Sequence, residues 1–194
     1  MYLYIKRILD IGIIVLSSPI WLVLMTVLAI LVKATSKGPI FFRQKRFGRN
    51  CVFFMIYKFR SMYVDAPKDV PTHLLENPEA FITPVGKFLR RSSLDELPQV
   101  FNILKGDLTL VGPRPALWNQ DDLIAEREKH NANGIPVGLT GYAQISGRDE
   151  LPIETKAALD GEYVRRMGFF FDIWILFQTV LCAVTGRGVQ EGRQ

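Results

Sequence analysis

The chain has 194 residues, the size of one ordinary domain with an appendage. A hydrophobic content of 48% and a mean hydropathy of +0.14 argue against a chain that meets only water, and for membrane contact. The formal net charge of +5 suits an anionic partner: lipid headgroups, nucleic acid or a phosphorylated substrate.

The first predicted element is IGIIVLSSPIWLVLMTVLAILV, Ile11 to Val32, with no charged residue. It is long enough to span a bilayer, which takes about 20 apolar residues. A cleaved signal peptide fits less well, because the run exceeds the usual apolar region and no small-residue cleavage site follows. Lys6 and Arg7 precede the run, while Lys33, Lys37, Arg43, Lys45, Arg46 and Arg49 follow it. Cations on both sides give no strong orientation, although the larger cluster favours a cytosolic body. Ser17-Ser18-Pro19 lies mid-run, where proline removes a backbone donor and serine hydroxyls can bond the freed carbonyls. Two readings stay open from these residues: a re-entrant helix that leaves by the face it entered, or a proline-kinked spanning helix.

Gly38-Pro39 ends this segment. IFFRQ and CVFFMIYKF then read as two β-strands joined by KRFGRN. Lys58 and Arg60 in KFRSM fall on one strand face, the pattern of a solvated basic edge. Residues 63–84 contain four prolines and no period, and predict an irregular connection. The spacing in SSLDELPQVFNILKG predicts a helix from Glu96 to about Lys105, capped by Asp95 and closed by Gly106, with Val100, Phe101 and Leu104 facing the core. PALWNQDDLIAEREKHNANG reads as an amphipathic surface helix closed by Gly134. GIPVGLTGYAQISGRDELP is a glycine-rich loop that matches neither a P-loop nor a dinucleotide fingerprint. A helix over about Ile153–Met167 follows, and the apolar Phe169–Val184 predicts a helix buried in the core or lying among headgroups.

Several chemistries drop out. The two histidines, His73 and His130, read as solvated and lie far from any candidate nucleophile, which argues against Ser-His-Asp or zinc-histidine catalysis. There is no Walker motif, and Cys51 and Cys182 read as reduced thiols. Asp95-Glu96 stays. An aspartate at a helix amino terminus is expected to remain ionised, and the same terminus attracts anions. Arg90, Arg91 and Arg114 lie just outside it in sequence. That arrangement permits covalent phosphoryl chemistry, and equally a structural cap with arginines nearby.

These residues resemble the small monotopic phosphoglycosyl transferases, the bacterial sugar transferases of bacillosamine-phosphate transferase type that prime glycan assembly. The resemblance rests on Lys6-Arg7, Ser18-Pro19, KFRSM at 58–62, RRSSLDELPQVFNILKGDLTLVGPRP at 90–115, GLTGYAQISGR at 138–148 and the Asp160, Tyr163, Asp172 tail. It implies a mixed α/β fold, predominantly helical with a small β-hairpin. It further implies a re-entrant helix-break-helix over residues 1–37, interfacial amphipathic helices, and a cytosolic-facing catalytic domain over 38–194 on the bacterial inner membrane. The implied reaction moves a sugar-1-phosphate from a UDP-sugar to polyprenol (undecaprenyl) phosphate, with Mg²⁺ and no nucleic-acid partner. Asp95 would be the nucleophile that releases UMP and holds the phosphosugar, and Glu96 the acid/base partner or Mg²⁺ ligand. Lys58, Arg90 and Arg114 would neutralise phosphate oxygens, with Asp160 and Asp172 counted in the substrate site and Ser18 and Pro19 as the membrane break. Two positions depart from the family pattern, Tyr142 where tryptophan is usual and Asp149 where asparagine is, and they put the sugar in doubt and not the reaction. The chain also lacks the extra membrane domain of larger members, so a minimal catalytic unit is expected. The alternatives are a membrane-anchored binding or assembly protein in which Asp95 only caps a helix, and a ternary-complex transferase with no covalent intermediate.

Overall fold

The apolar amino-terminal run is divided between two helices. In the computed structural model, which describes residues 1–67, 77–147 and 151–185, helix α1 (Tyr2–Leu16) ends at Ser17 and α2 (Ser18–Thr35) follows. Pro19 sits in the first turn of α2, where its missing N–H costs no helical hydrogen bond. The break therefore falls one residue before the Ser18-Pro19 pair. Carbonyls of the last turn of α1 are bonded locally: Ile13 O accepts the Ser17 N–H and hydroxyl (2.6 Å from the hydroxyl), and Ile14 O the Trp21 indole (2.8 Å).

α1 is tied to the rest of the protein by charge. Lys6 and Asp10 are both buried, which an apolar helix tolerates only when each is paired. Lys6 bonds Asp172, and Asp10 accepts from the Thr109 hydroxyl and the Leu110 N–H. Arg7 donates to Ile103 O and Leu104 O, the free carbonyls at a helix end. The opposite faces of α1 and α2 expose Ile8, Leu16, Ile20 and Val23.

The first hairpin strand runs further, and the second starts later, than the sequence suggested. β1 (Phe41–Phe47) runs antiparallel to β2 (Phe53–Phe59), with Phe41 opposite Phe59 and Phe47 opposite Phe53. Lys45, Arg46 and Phe47 thus belong to β1, and the turn begins at Gly48, with Asn50 and Cys51 at positive φ. Helix α3 (Pro84–Arg91) is capped by the Thr83 hydroxyl, which accepts from Gly86 N–H (2.9 Å). A 3₁₀ turn, Leu94–Gln99, then passes into α4 (Val100–Lys105), which Gly106 ends at φ 96°. The left-handed residue at the start is Ser93, and Asp95 lies inside the turn with no capping bond, a correction to the expected cap. The core-facing residues are Val100, Asn102 and Ile103. Phe101 and Leu104 remain partly exposed, Phe101 meeting the edge of Trp21.

A second sheet is parallel: β3 (Thr109–Val111) beside β4 (Gly138–Thr140). The glycines of the expected loop serve this pairing, because a Cβ on Gly138 would lie 2.1 Å from Gly112 N. The surface helix is only α5 (Asp121–Glu128); Lys129 follows it and Asn131 turns at positive φ, so Gly134 does not close it. The remaining elements are α6 (Tyr142–Gly147), α7 (Ile153–Arg166) and α8 (Phe169–Thr185). α8 turns Asp172 and Ile175 inward and Phe170, Phe177 and Val180 outward. The core gathers Phe59, Leu89, Ile103, Val111, Tyr163 and Ile175, all but fully buried. The helix-rich fold with a small hairpin is as expected.

Asn102 joins these parts. Wholly buried, it accepts from the Tyr57 N–H (3.0 Å) and donates to Met55 O (2.8 Å), satisfying the open edge of β2 from α4. Asn102→Leu leaves both backbone groups unpaired at about 1–3 kcal/mol each, so a loss of about 2–4 kcal/mol is expected. Denaturant unfolding of the detergent-solubilised protein measures it; a change under about 0.5 kcal/mol, the level of an ordinary surface substitution, would contradict this role.

Candidate active site

With β2 fixed to α4, the 3₁₀ turn brings Asp95 and Glu96 against the end of β2. Lys58 Nζ lies 2.7 Å from Glu96 Oε1 and 3.9 Å from Asp95 Oδ2. Arg114 Nη2 lies 2.7 Å from the same Glu96 oxygen. Lys58 is therefore no solvated edge residue, and the adjacent Arg60 is buried too. Arg90, in the last turn of α3, acts on Asp95 electrostatically and lines the same cleft.

Two neighbouring carboxylates end in opposite states. Burial pushes the Asp95 carboxyl above its ordinary range; Lys58, Arg90 and Arg114 oppose this, and the Glu96 charge adds to it. Burial acts the same way on Glu96, but Arg114 and Lys58 outweigh it and hold that carboxyl well below its ordinary range. The pair thus offers one permanently anionic group and one carboxylate with an open face, in a form less settled in charge than the sequence implied.

The loop carrying Arg114 is held from behind. Arg127 donates to Arg114 O (2.9 Å), and Arg46 to Pro115 O (3.0 Å). Asp160, almost wholly buried, fixes Arg127 at 2.6 Å. Burial raises the Asp160 pKa, against the pull of Arg127. Asp160 thus reaches the Arg114 loop through Arg127. Asp172 does not enter the site, since its oxygens are taken by Lys6, Tyr2 and Tyr163 (2.8 Å from Tyr163 Oη). Ser18 and Pro19 lie at the helix break, away from the cleft. Tyr142 packs on Phe171 and Trp174 of α8, so its difference from the family pattern faces an aromatic cluster. His130 packs against Gly161 in a half-buried setting, while His73 and Asp149 lie outside the described residues.

The cleft has a volume of about 1950 Å³, against the ~300–1,000 Å³ of a typical small-ligand site, and so has room for two substrates. Among the described residues no cluster of three or more metal-ligating side chains occurs. The donor set still fits Mg²⁺, which takes one or two carboxylates and completes its shell with water and phosphate oxygens. Glu96 Oε2, with only a 3.5 Å contact to Arg114, retains free lone pairs for it.

A buried carboxylate thus lies among cations in a cleft, and the flanking helices α1, α2 and α8 expose apolar faces. Residues 1–186 match the family described as bacterial sugar transferase, and the chain belongs to that family. It is 39% identical over 188 residues to "Uncharacterized sugar transferase EpsL" of Bacillus subtilis (strain 168), covering 96% of this chain and 90% of that protein. It is 34% identical to "Exopolysaccharide production protein ExoY" of Rhizobium meliloti (strain 1021), covering 89% of this chain and 80% of the relative. It is also 39% identical over 183 residues to the UDP-glucose:undecaprenyl-phosphate glucose-1-phosphate transferase of Escherichia coli (strain K12), covering 86% of this chain but only 38% of that protein.

The sequence did not flag Asn102, Arg127 or the backing role of Arg46; Asn102 lies close after LDELPQ, but Arg46 and Arg127 carry no local signal. Glu96→Gln removes the negative charge beside Asp95, so the Asp95 pKa should fall. Carbon-detected NMR titration of labelled aspartate reads this directly; an unmoved or higher value would mean that Glu96 does not set the charge of Asp95.

Proposed function

We propose that this protein transfers a sugar-1-phosphate from a UDP-sugar to polyprenol phosphate through a covalent intermediate on Asp95. The observation that carries this is the Lys58–Glu96–Arg114 cluster, which occupies one carboxylate with two cations and leaves the neighbouring Asp95 facing the cleft. Family membership supports the reaction class, and the relative from Escherichia coli carries the matching reaction in its name.

In the first step, an Asp95 oxygen attacks the sugar-linked phosphorus of the donor. The bond from that phosphorus to the bridging oxygen breaks, and UMP leaves with that oxygen and the electron pair. Lys58, Arg90 and Arg114 offset the charge building on the phosphate oxygens. In the second step, a phosphate oxygen of polyprenol phosphate attacks the same phosphorus. The bond to Asp95 breaks, restoring its carboxylate and giving the polyprenol-diphosphate sugar. Mg²⁺ on Glu96, and on Asp95 where that carboxylate is free, would neutralise diphosphate oxygens. Glu96, held anionic, keeps Lys58 and Arg114 in position, and acid/base duty falls to it only if that pairing loosens.

The membrane setting belongs to the same proposal. Helix α2 is long and apolar enough to cross a bilayer by composition. The charged docking of α1 onto the catalytic body supports a re-entrant course instead, with both ends of the pair and the cleft on the cytosolic face of the bacterial inner membrane. The binding-protein alternative needs Asp95 as a helix cap, and Asp95 caps nothing.

Asp95→Asn keeps size and polarity but removes the nucleophile, and should lower turnover by at least about 10³-fold. Steady-state kinetics with a panel of UDP-sugars and undecaprenyl phosphate should give a ping-pong pattern. Intersecting lines, with activity surviving in Asp95→Asn, would establish the ternary-complex route. Because burial raises the Asp95 pKa, its protonated, unreactive form persists to higher pH than for an ordinary aspartate. The acid limb of kcat/KM for the donor should accordingly lie above pH ~4; a limb at or below that value would deny the raised pKa.

A further inference from the structure

A second, apolar groove adjoins the cleft that holds Asp95. This groove, about 580 Å³, runs beside α2 and is lined by Leu22, Met25, Ala29 and Ile30 on the helix and by Ile40 and Phe41 at the start of β1. Lys33, Ile40 and Phe41 line both cavities, so the two adjoin at these side chains. Thr26, its polar exception besides Lys33, turns its hydroxyl back to Leu22 O (2.9 Å) and offers the groove nothing polar.

Two cations stand where the cavities adjoin: Lys33 lines both cavities and Arg60 lines the cleft. Lys33 Nζ donates to Gly38 O at 3.2 Å. Arg60, only 5% exposed, uses one guanidinium nitrogen on Ser36 O (2.8 Å) and Ser36 Oγ (2.7 Å). Its Nε and Nη1 have no hydrogen-bond partner, and among the described residues neither Arg60 nor Lys33 forms an ion pair. Arg60 Nη1 rests against Gly38, where a Cβ would approach it to 2.0 Å, so both cations converge on one short turn. A buried guanidinium with three unanswered N–H donors is costly unless an anion meets it. Lys58, which contacts Asp95 and Glu96, is two residues away, a backbone distance of roughly 7 Å.

We infer that Arg60 and Lys33 form the phosphate seat of the lipid acceptor, and that the first isoprene units of its chain lie in the groove between α2 and β1. The groove suits a branched hydrocarbon, the junction suits a phosphate monoester, and the cleft beyond holds Asp95. A nucleotide sugar matches only the cleft, and a bulk phospholipid has no need of the passage toward Asp95. This assignment rests on the proposed reaction for the identity of the acceptor.

The test is equilibrium binding of undecaprenyl phosphate to the full-length protein in phosphatidylcholine nanodiscs, read by tryptophan fluorescence. Lys33→Gln and Arg60→Gln should each weaken binding at least tenfold, with Arg60→Lys partly restoring it. Ala29→Phe, which narrows the groove, should weaken undecaprenyl phosphate more than a two-isoprene prenyl phosphate. Binding of the UDP-sugar should stay within twofold in all four, which separates this site from a general loss of structure. Unchanged lipid affinity in Lys33→Gln and Ala29→Phe, or equal competition by phosphatidylglycerol, would overturn the assignment. A wild type that binds undecaprenyl phosphate with these sensitivities but turns over no donor would support the seat and overturn the proposed reaction.

Discussion

One carboxylate oxygen, Glu96 Oε1, receives both Lys58 and Arg114 at 2.7 Å, and the arrangement of the site depends on that shared contact. It joins three separate pieces of chain: the end of β2, the 3₁₀ turn and the GPRP loop. Lys58 and Glu96 are largely withdrawn from water, and the ion pairs offset the burial of these two. The Arg114 side chain stays 36% exposed and closes the cluster from the rim. Its by-product is Asp95. The neighbouring residue shares the same field at longer range, 3.9 Å from Lys58 Nζ, and burial holds its pKa raised. In the proposed reaction this division of labour leaves Asp95 without a tight ion pair, and its raised pKa sets the lower pH limit at which it can attack.

The supporting parts are arranged to keep that contact in place. Asn102 fixes the turn to the hairpin, and Arg127 with Asp160 fixes the loop that carries Arg114. Both devices are buried polar networks with their partners matched, a kind that rigidifies when complete. On the other side of the molecule, Lys6 and Asp172 do the same for α1, so a charged contact inside the protein ties the apolar helix pair to the catalytic body. The apolar surface of α1, α2 and α8 then faces outward from a rigid frame.

Much of this was legible in the sequence, for identifiable reasons. The hairpin, α7 and α8 follow from long periodic or apolar segments, and Gly106 ends α4 as a glycine should. Asp95, Glu96, Lys58 and Arg114 were all picked out, and the structure brings them together with Arg90. What failed was local or long-range. Ser93 adopts the left-handed conformation that starts the turn, which no spacing rule demands of serine, and so the cap was misplaced onto Asp95. β3 and β4 are three residues each, too short to alternate visibly, so the glycines that let them meet looked like a loop. Asp172 lies in a motif with Asp160, but the fold sets Asp160 in the cleft wall beside Arg127 and sends Asp172 to Lys6. Pairings between distant elements, 33 residues apart for Arg127 and Asp160 and 166 for Lys6 and Asp172, leave no trace in a single sequence.

The central claim is that Asp95 carries the phosphosugar. Intact mass of the purified protein after exposure to its UDP-sugar alone, with no acceptor present, tests it most directly. The account requires a mass gain equal to one sugar phosphate, located on Asp95, stoichiometric with UMP, and lost on adding undecaprenyl phosphate. An unmodified protein that nonetheless turns over once both substrates are present would contradict it.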